Sequence, residues 1–250
     1  MPSQFPLDTF LTDRYIRRRQ MEAVAAAKSA ERQRDRSRPP MTSAMRHKAL
    51  ILFDVDGVIL DSRRNMENAW ASVRDELGVS VSFEAYFAEI GRPFPDIMAR
   101  LGLAHAACTV ERVFRRASSQ SLHETPLFDG VVPMLSTLAE SGRRLGIVTS
   151  KDSARTELVL DRLAVSFTVV MTPRDGLRGK PSPDHLLFAM ARCNVDPANT
   201  VFVGDMDSDA EAARRSHVDY VHVDWGYGAR PADCLFVAAT PDDLTSFLLS

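Results

Sequence analysis

Cysteine is scarce in this chain of 250 residues: Cys108, Cys193 and Cys234 are odd in number and share no short metal-ligand spacing. That argues against a disulfide framework and against a zinc site, and it predicts reduced, mostly buried thiols in a cytoplasmic protein. Long apolar runs are missing too. None approaches the roughly 18 residues needed to span a bilayer, so no membrane partner is expected, and the N-terminus lacks the apolar core of a secretory signal. Net charge of one sign is absent over the whole chain, at −2. That balance hides an asymmetry, because residues 1–48 carry 11 Lys and Arg against 5 Asp and Glu, while the remainder carries 20 against 28. A mildly acidic main body offers no broad electrostatic footprint for nucleic acid. What is present, 45% apolar and 26% charged residues, is ordinary for a soluble globular protein, in one large domain or a core with an insert.

The basic residues gather in an apparent appendage, 1–47. Composition over 12–34 favours helix, with a thin apolar stripe, and Pro39 and Pro40 break it. It reads as a basic, partly helical or disordered extension: either an arm for an acidic partner or a second subunit, or a solvated tail. Met41 and Met45 offer later starts.

The centre of the chain is the stretch from Ala49 to Ser62, ALILFDVDGVILDS. Its continuous apolar run is the pattern of a strand buried on both faces of a parallel sheet. It delivers Asp54 and Asp56, then Gly57. Residues i and i+2 of a strand share a face, so both carboxylates project from the carboxyl end of a central strand, where open α/β sheets place ligands. Adjacent carboxylates repel unless a cation or shared proton relieves them. The pair therefore asks for a divalent metal, unless the strand simply ends in an Asp-Gly turn.

From Ser62 to about Pro126 no strand-like run occurs. The spacing of Met66, Ala69, Trp70, Val73 and Leu77 predicts a helix closed by Gly78, and further helices are expected at 83–90, 94–101 and 109–123, with Trp70 and Phe87 in their core. From Phe128 the rhythm alternates: helix 130–142, strand 144–150, helix 153–164, strand 167–171, helix 182–193, strand 200–205, helix 207–215, strand 219–223, a short strand at 234–237 and helix 241–249. Such alternation implies a mostly parallel sheet covered on both faces. The chain shows no internal repeat. The expected fold is thus an α/β, Rossmann-like doubly wound sheet of residues 48–62 and 127–250, with an all-helical insertion at 63–126.

Three later stations fall at the same sheet edge as Asp54 and Asp56. Thr149, Ser150 and Lys151 end a strand before a helix, as a phosphate cradle or as mere capping residues. Gly179-Lys180-Pro181 puts a cation in a stiff loop. Val201 to Asp209, VFVGDMDSD, repeats the opening design, and a helix starting near Asp207 lets Asp209 turn back beside Asp205. Three or four nearby carboxylates suit a hard cation such as Mg²⁺, whereas helix capping is the simpler account of Asp207.

Taken in order, DVDGV (54–58), VTS (148–150), KP (180–181) and GDMDSD (204–209) resemble the four motifs of the haloacid dehalogenase-type hydrolase superfamily. The helical insertion is similar to its helical-cap branch, which includes phosphoglycolate phosphatases and β-phosphoglucomutases. The likeness covers roughly residues 48–250 and extends to FDGVVPMLSTLAESGRRLGIVTSK and HVDWGYG, which have a phosphoglycolate-phosphatase flavour. It implies an Mg²⁺-dependent phosphatase of small phosphorylated metabolites. Asp54 matches the nucleophile that forms an aspartyl-phosphate, and Asp56 the general acid and base. Thr149 and the Ser150 N–H match the phosphate site, alongside Gly57, and Lys180 matches the lysine that neutralises nucleophile and phosphoryl oxygens. Asp205 matches a direct Mg²⁺ ligand beside Asp54 and the Asp56 carbonyl, and Asp209 an outer one. Asp56 speaks against a dehalogenase, which needs no leaving-group acid. Gly204 stands where a mutase usually has an acidic residue, which favours the hydrolase over a β-phosphoglucomutase-like reaction. Two departures, Asp129 for the usual Pro and Ser216-His217 for Ala-Gly, leave the catalytic set untouched. For the distal part of the substrate Arg92 is the candidate, with Arg115, Arg116 and His123 behind it. The assembly is expected to be a monomer or homodimer.

Overall fold

A computed structural model describes residues 48–174 and 176–250; the extension expected over 1–47 lies outside them. Strand β1 (Leu50–Phe53) is buried along its whole length. It pairs in parallel with β2 (Arg144–Val148) on one side and β4 (Thr200–Gly204) on the other. With β3 (Val169–Met171), β5 (Asp219–Val223) and β6 (Phe236–Ala238), the sheet runs β3-β2-β1-β4-β5-β6, all parallel. This is the doubly wound order, whose direction reverses beside β1 and opens a crevice at the carboxyl ends.

The crossovers are helical: α5 (Val131–Glu140) before β2, α6 (Ser153–Leu160) before β3, α7 (Asp184–Cys193) before β4, α8 (Asp207–Ser216) before β5, and α9 (Pro241–Leu249) last. Leu50, Leu52 and Phe202 pack with Leu186, Ala189 and Met190 of α7 and Ala212 and Ala213 of α8. Ile51 and Phe53 point the other way by the pleat, and α5 and α9 pack together, against β2 and β6 respectively. Each fully buried Leu, Ile or Phe contributes about 1.5–3 kcal/mol.

Between β1 and α5 stand four further helices: α1 (Arg63–Leu77), α2 (Phe83–Phe87), α3 (Phe94–Arg100) and α4 (Ala107–Ser121). Trp70 is fully buried there, stacked on Tyr86 at 4.3 Å between ring centroids, and its indole N–H donates to the Val81 carbonyl at 3.0 Å. Phe87 is only partly buried and meets Tyr227 of the loop after β5 at 5.2 Å. It packs against the cluster of the insertion, 5.2 Å from Phe83, and also links that cluster to the loop after β5.

Several boundaries move. The last strand begins two residues later than expected, because its ladder opens with the Leu235 N–H on the Tyr220 carbonyl and then pairs Val221 with Phe236. The helix expected over 83–90 ends at Phe87, with turns leading to Gly91. Nor are the cysteines mostly buried. No disulfide forms among the described residues, yet Cys193 alone is buried, and Cys108 is exposed. Cys108 lies in the first turn of α4, whose inward face is made by Val110, Val113 and Phe114. Among the described residues no helix is long and apolar enough to cross a membrane.

Candidate active site

Because β1, β2 and β4 are adjacent and in register, the residues that follow them emerge side by side. Asp54 leaves β1, Thr149 leaves β2 and Asp205 follows β4, and all three are buried. Lys180 arrives from the loop before α7 at 1% exposure and forms ion pairs with Asp54 Oδ2 and Asp209 Oδ1, each at 2.7 Å. Burial alone would lower its pKa, but Asp209 and Asp54 outweigh that and push it upward. Asp54 moves the opposite way from a free carboxylate. Burial, opposed by Lys180 and reinforced by Asp209, raises it to about 6. The Val55 N–H donates to Asp54 Oδ1 at 2.7 Å, fixing the carboxylate's orientation.

Asp209 lies in the first turn of α8, and its Oδ2 accepts from the Asp205 and Met206 N–H groups at 3.2 and 3.0 Å. Oxygens of Asp54, Asp205 and Asp209 all lie within 4.8 Å of one another. Asp205 Oδ2 accepts from the Tyr227 N–H at 2.8 Å, whereas its buried Oδ1 has no hydrogen-bond partner among the described residues. Burial, then Asp209 and Asp54, raises the Asp205 pKa well above the carboxylate range. Three crowded carboxylates with one orphaned oxygen fit a hard divalent cation, which takes oxygen ligands and relieves their repulsion.

The backbone yields to this cluster. Gly57 has φ +83°, and a Cβ there would meet Asp205 Oδ2 at 2.1 Å. Gly226 and Gly228 also press on Asp205, where added Cβ atoms would fall at 2.3 Å from its Cβ and 2.1 Å from its carbonyl oxygen. Only glycine permits that approach. The Trp225 indole N–H reaches the Val58 carbonyl at 3.1 Å, so the segment after β5 clasps the turn after β1.

Asp56 stands apart from the carboxylate cluster. Its Oδ1 pairs with Lys151 Nζ at 3.0 Å, and Lys151 is buried. Burial lowers the Lys151 pKa while Asp56 opposes the fall. A cavity opens above Asp54 and Asp56, bounded below by Thr149, Ser150 and Lys151 and above by the helical insertion, including Tyr86, Arg92 and Phe114. The Ser150 hydroxyl donates to the Gly91 carbonyl at 3.0 Å.

The structure thus brings Asp54, Asp56, Thr149, Ser150 and Lys180 to one place, with Asp205 and Asp209 in the carboxylate cluster beside Asp54. Gly57 contributes a close backbone approach. Arg92 reaches the cavity but is ion-paired with Glu89 at 3.4 Å. Arg115 also lines it, held by Glu111 and Asp152. Arg116 pairs with Glu76 and His123 lies exposed beside Glu124; neither lines the cavity. Sequence reasoning missed the pairing of Lys151 with Asp56, the Tyr227 N–H on Asp205, and Arg155 in the cavity wall. Of these only the second left a trace, in the glycine spacing of WGYG.

A sequence model of the family described as Haloacid dehalogenase-like hydrolase matches residues 51–223. The chain is 31% identical over 185 residues to the tyrosine-protein kinase PtkA of Mycobacterium tuberculosis, a match covering 72% of this chain and 63% of that protein. It is 30% identical over 212 residues to the phosphoglycolate phosphatase of Pseudomonas putida, covering 80% of this chain and 78% of that one. Among solved structures, a hydrolase from Pseudomonas syringae superposes with a TM-score of 0.71 at 23% identity, covering 80% of this chain and 97% of the other. CbbY from Rhodobacter sphaeroides, in complex with phosphate, gives 0.69 at 18% identity, over 78% and 96%. These two likenesses establish the fold. With more than half of its length matched by the family, and with that fold, this chain belongs to the haloacid dehalogenase-like hydrolases.

Proposed function

We propose that the protein is an Mg²⁺-dependent phosphomonoester hydrolase of a small phosphorylated metabolite, working through an aspartyl-phosphate on Asp54. The carrying observation is the arrangement of Asp54. It is buried, oriented by the Val55 N–H, partnered by Lys180, and open to a cavity that it shares with Asp56. One carboxylate oxygen attacks phosphorus while Asp56 gives its proton to the leaving alcohol oxygen. Asp56 then takes a proton from the water that attacks the acyl-phosphate, which regenerates Asp54 and releases phosphate. Lys151 holds Asp56 in place between these steps, and Lys180 offsets charge on the transferring oxygens. Asp54, Asp205 and Asp209, with the Asp56 carbonyl, would hold Mg²⁺, which supplies charge neutralisation at the phosphoryl group. The helices of residues 63–126 serve as the cap over a core of 48–62 and 127–250.

The phosphoglycolate phosphatase of P. putida supports a small substrate. The likeness to a tyrosine-protein kinase favours a second reading, phosphoryl transfer to a protein tyrosine, because the same buried carboxylates and lysine serve either acceptor. Phosphate release from p-nitrophenyl phosphate with Mg²⁺, run beside transfer of labelled γ-phosphate from ATP to tyrosine, separates the two. Release that vanishes in Asp54→Asn supports the hydrolase. Label on tyrosine without release would replace it.

A further inference from the structure

In the loop after β5, Tyr227 stands between Gly226 and Gly228, the two glycines that press on Asp205. Its backbone N–H donates to Asp205 Oδ2 at 2.8 Å, the bond that leaves Oδ1 as the orphaned oxygen. Its side chain reaches elsewhere. The hydroxyl donates to Asp61 Oδ1 at 3.1 Å, with the Leu60 carbonyl 3.4 Å away, and accepts from the Arg63 N–H at 3.1 Å. Burial pushes the phenol up, so it stays a donor at neutral pH.

Leu60 to Arg63 is where the chain leaves the sheet for the helical insertion, and Pro126 to Phe128 is where it returns. The two crossings are laced together. The Asp61 N–H donates to the Pro126 carbonyl at 2.9 Å, and the Phe128 N–H to the Ile59 carbonyl at 3.1 Å. The Tyr227 ring lies 6.3 Å from Phe128 and 5.2 Å from Phe87 at the end of α2, centroid to centroid. One residue thus meets the outgoing crossing, the returning crossing, the insertion and Asp205. Flanked by two glycines, its backbone has little restraint of its own, so the ring and hydroxyl set the direction of the N–H. The hydroxyl is spent on the crossing, where a Phe of nearly equal volume would fill the same space.

Building on the hydrolase reading, we propose that Tyr227 is a positioning residue that couples the seat of the helical insertion to the metal-facing geometry of Asp205. With the hydroxyl held by the crossing and the ring by Phe87, the N–H occupies Asp205 Oδ2 and leaves Oδ1 for the cation. When the insertion shifts, the loop between the glycines shifts with it, and the carboxylate loses its fixed orientation. Tyr227 takes no part in bond making and acts through Asp205.

The test reads Mg²⁺ binding to the substrate-free protein by isothermal titration calorimetry, with metal-free thermal unfolding and p-nitrophenyl phosphate hydrolysis alongside. Tyr227→Phe keeps the ring and the N–H and removes only the hydroxyl. It should raise the Mg²⁺ Kd about three- to tenfold, the scale of one lost hydrogen bond. Phe87→Leu lies in the insertion, outside the carboxylate cluster, and should raise Kd about two- to fivefold, the scale of one lost ring contact. The Mg²⁺ concentration for half-maximal hydrolysis should rise in step. A purely structural role would lower the unfolding temperature and leave Kd alone. Should Tyr227→Phe fail to fold, Phe87→Leu still decides. Hydrolysis of p-nitrophenyl phosphate with an Mg²⁺ Kd that either folded variant leaves unmoved overturns the coupling alone. No hydrolysis and no Mg²⁺ binding by the unaltered protein overturns the hydrolase reading with it.

Discussion

The floor and the roof of the cavity are made of opposite materials. Below are buried charges, Asp54, Lys151 and Lys180, each tied to a partner of opposite sign. Above are stacked and tilted rings, with Tyr86, Phe94 and Phe114 in mutual contact. Charges in the floor survive burial only as a set, because removing one partner leaves another uncompensated. Rings in the roof are held by area and shape, and can be exchanged for others of similar volume at modest cost. A floor of this kind fixes a reaction, whereas a roof of this kind can be refitted to a different alcohol.

If that division is right, substitutions below should abolish chemistry and substitutions above should first damage folding or selectivity. The largest effect is expected for Asp54→Asn, which keeps shape but removes the proposed nucleophile. Steady-state phosphate release should fall by roughly 10⁴-fold or more, with unchanged far-UV circular dichroism. Asp56→Asn comes next, at about 10²–10⁴-fold on an alkyl phosphate. Its effect should be smaller on p-nitrophenyl phosphate, whose leaving group needs little protonation, and mass spectrometry should detect an added phosphate on the protein as hydrolysis of the intermediate slows. Equal losses on both substrates would remove Asp56 from the proton path.

The roof is tested by Trp70→Ala, which deletes a fully buried ring and its bond to Val81. Urea unfolding should show about 3–5 kcal/mol of lost stability. The smallest effect concerns metal and protons in the floor. Asp54, raised to about 6, and Asp205, raised well above the usual carboxylate range, favour the folded metal-free protein at low pH. That contribution is complete below the unfolded carboxylate range and is lost as pH rises through the folded values. Mg²⁺ competes with the same protons. Its stabilisation, about 2.7 kcal/mol at a hundredfold excess over Kd, should grow as pH rises and shrink below about pH 6, where Asp54 protonates, in thermal unfolding. An increment independent of pH would detach the metal from these carboxylates.

The two surfaces also differ in how much of them could be read from the chain. Asp54, Asp56, Thr149, Lys180 and Asp205 each follow an apolar run or sit in a Gly or Pro loop, so strand periodicity alone sends most of them to one sheet edge. The order of strands follows from the same alternation. The roof left no such mark. Tyr86 and Phe114 come from two helices of the insertion, and nothing in a local window tells which ring of an amphipathic helix faces a cavity rather than the helix beside it. Lys151 was visible as the end of a strand-to-helix turn, but its partner depends on a register set between β1 and β2. Cys108 misled for a related reason: residue type predicts burial on average, while its place on α4 decided the outcome.

The strand order carries a consequence for biosynthesis. The first strand among the described residues, β1, is the one that ends in the middle of the sheet, and one of its flanks closes only when Leu50 finds Thr200. Until then a bare apolar ribbon with an unpaired edge is in search of a neighbour, the kind of segment that chaperones hold and aggregates recruit. Asp205 gains its Tyr227 amide later still. Translation stopped after Asp209 but short of Tyr227 therefore yields a chain that holds Asp54, Asp205 and Asp209 but lacks the amide that Asp205 Oδ2 accepts from.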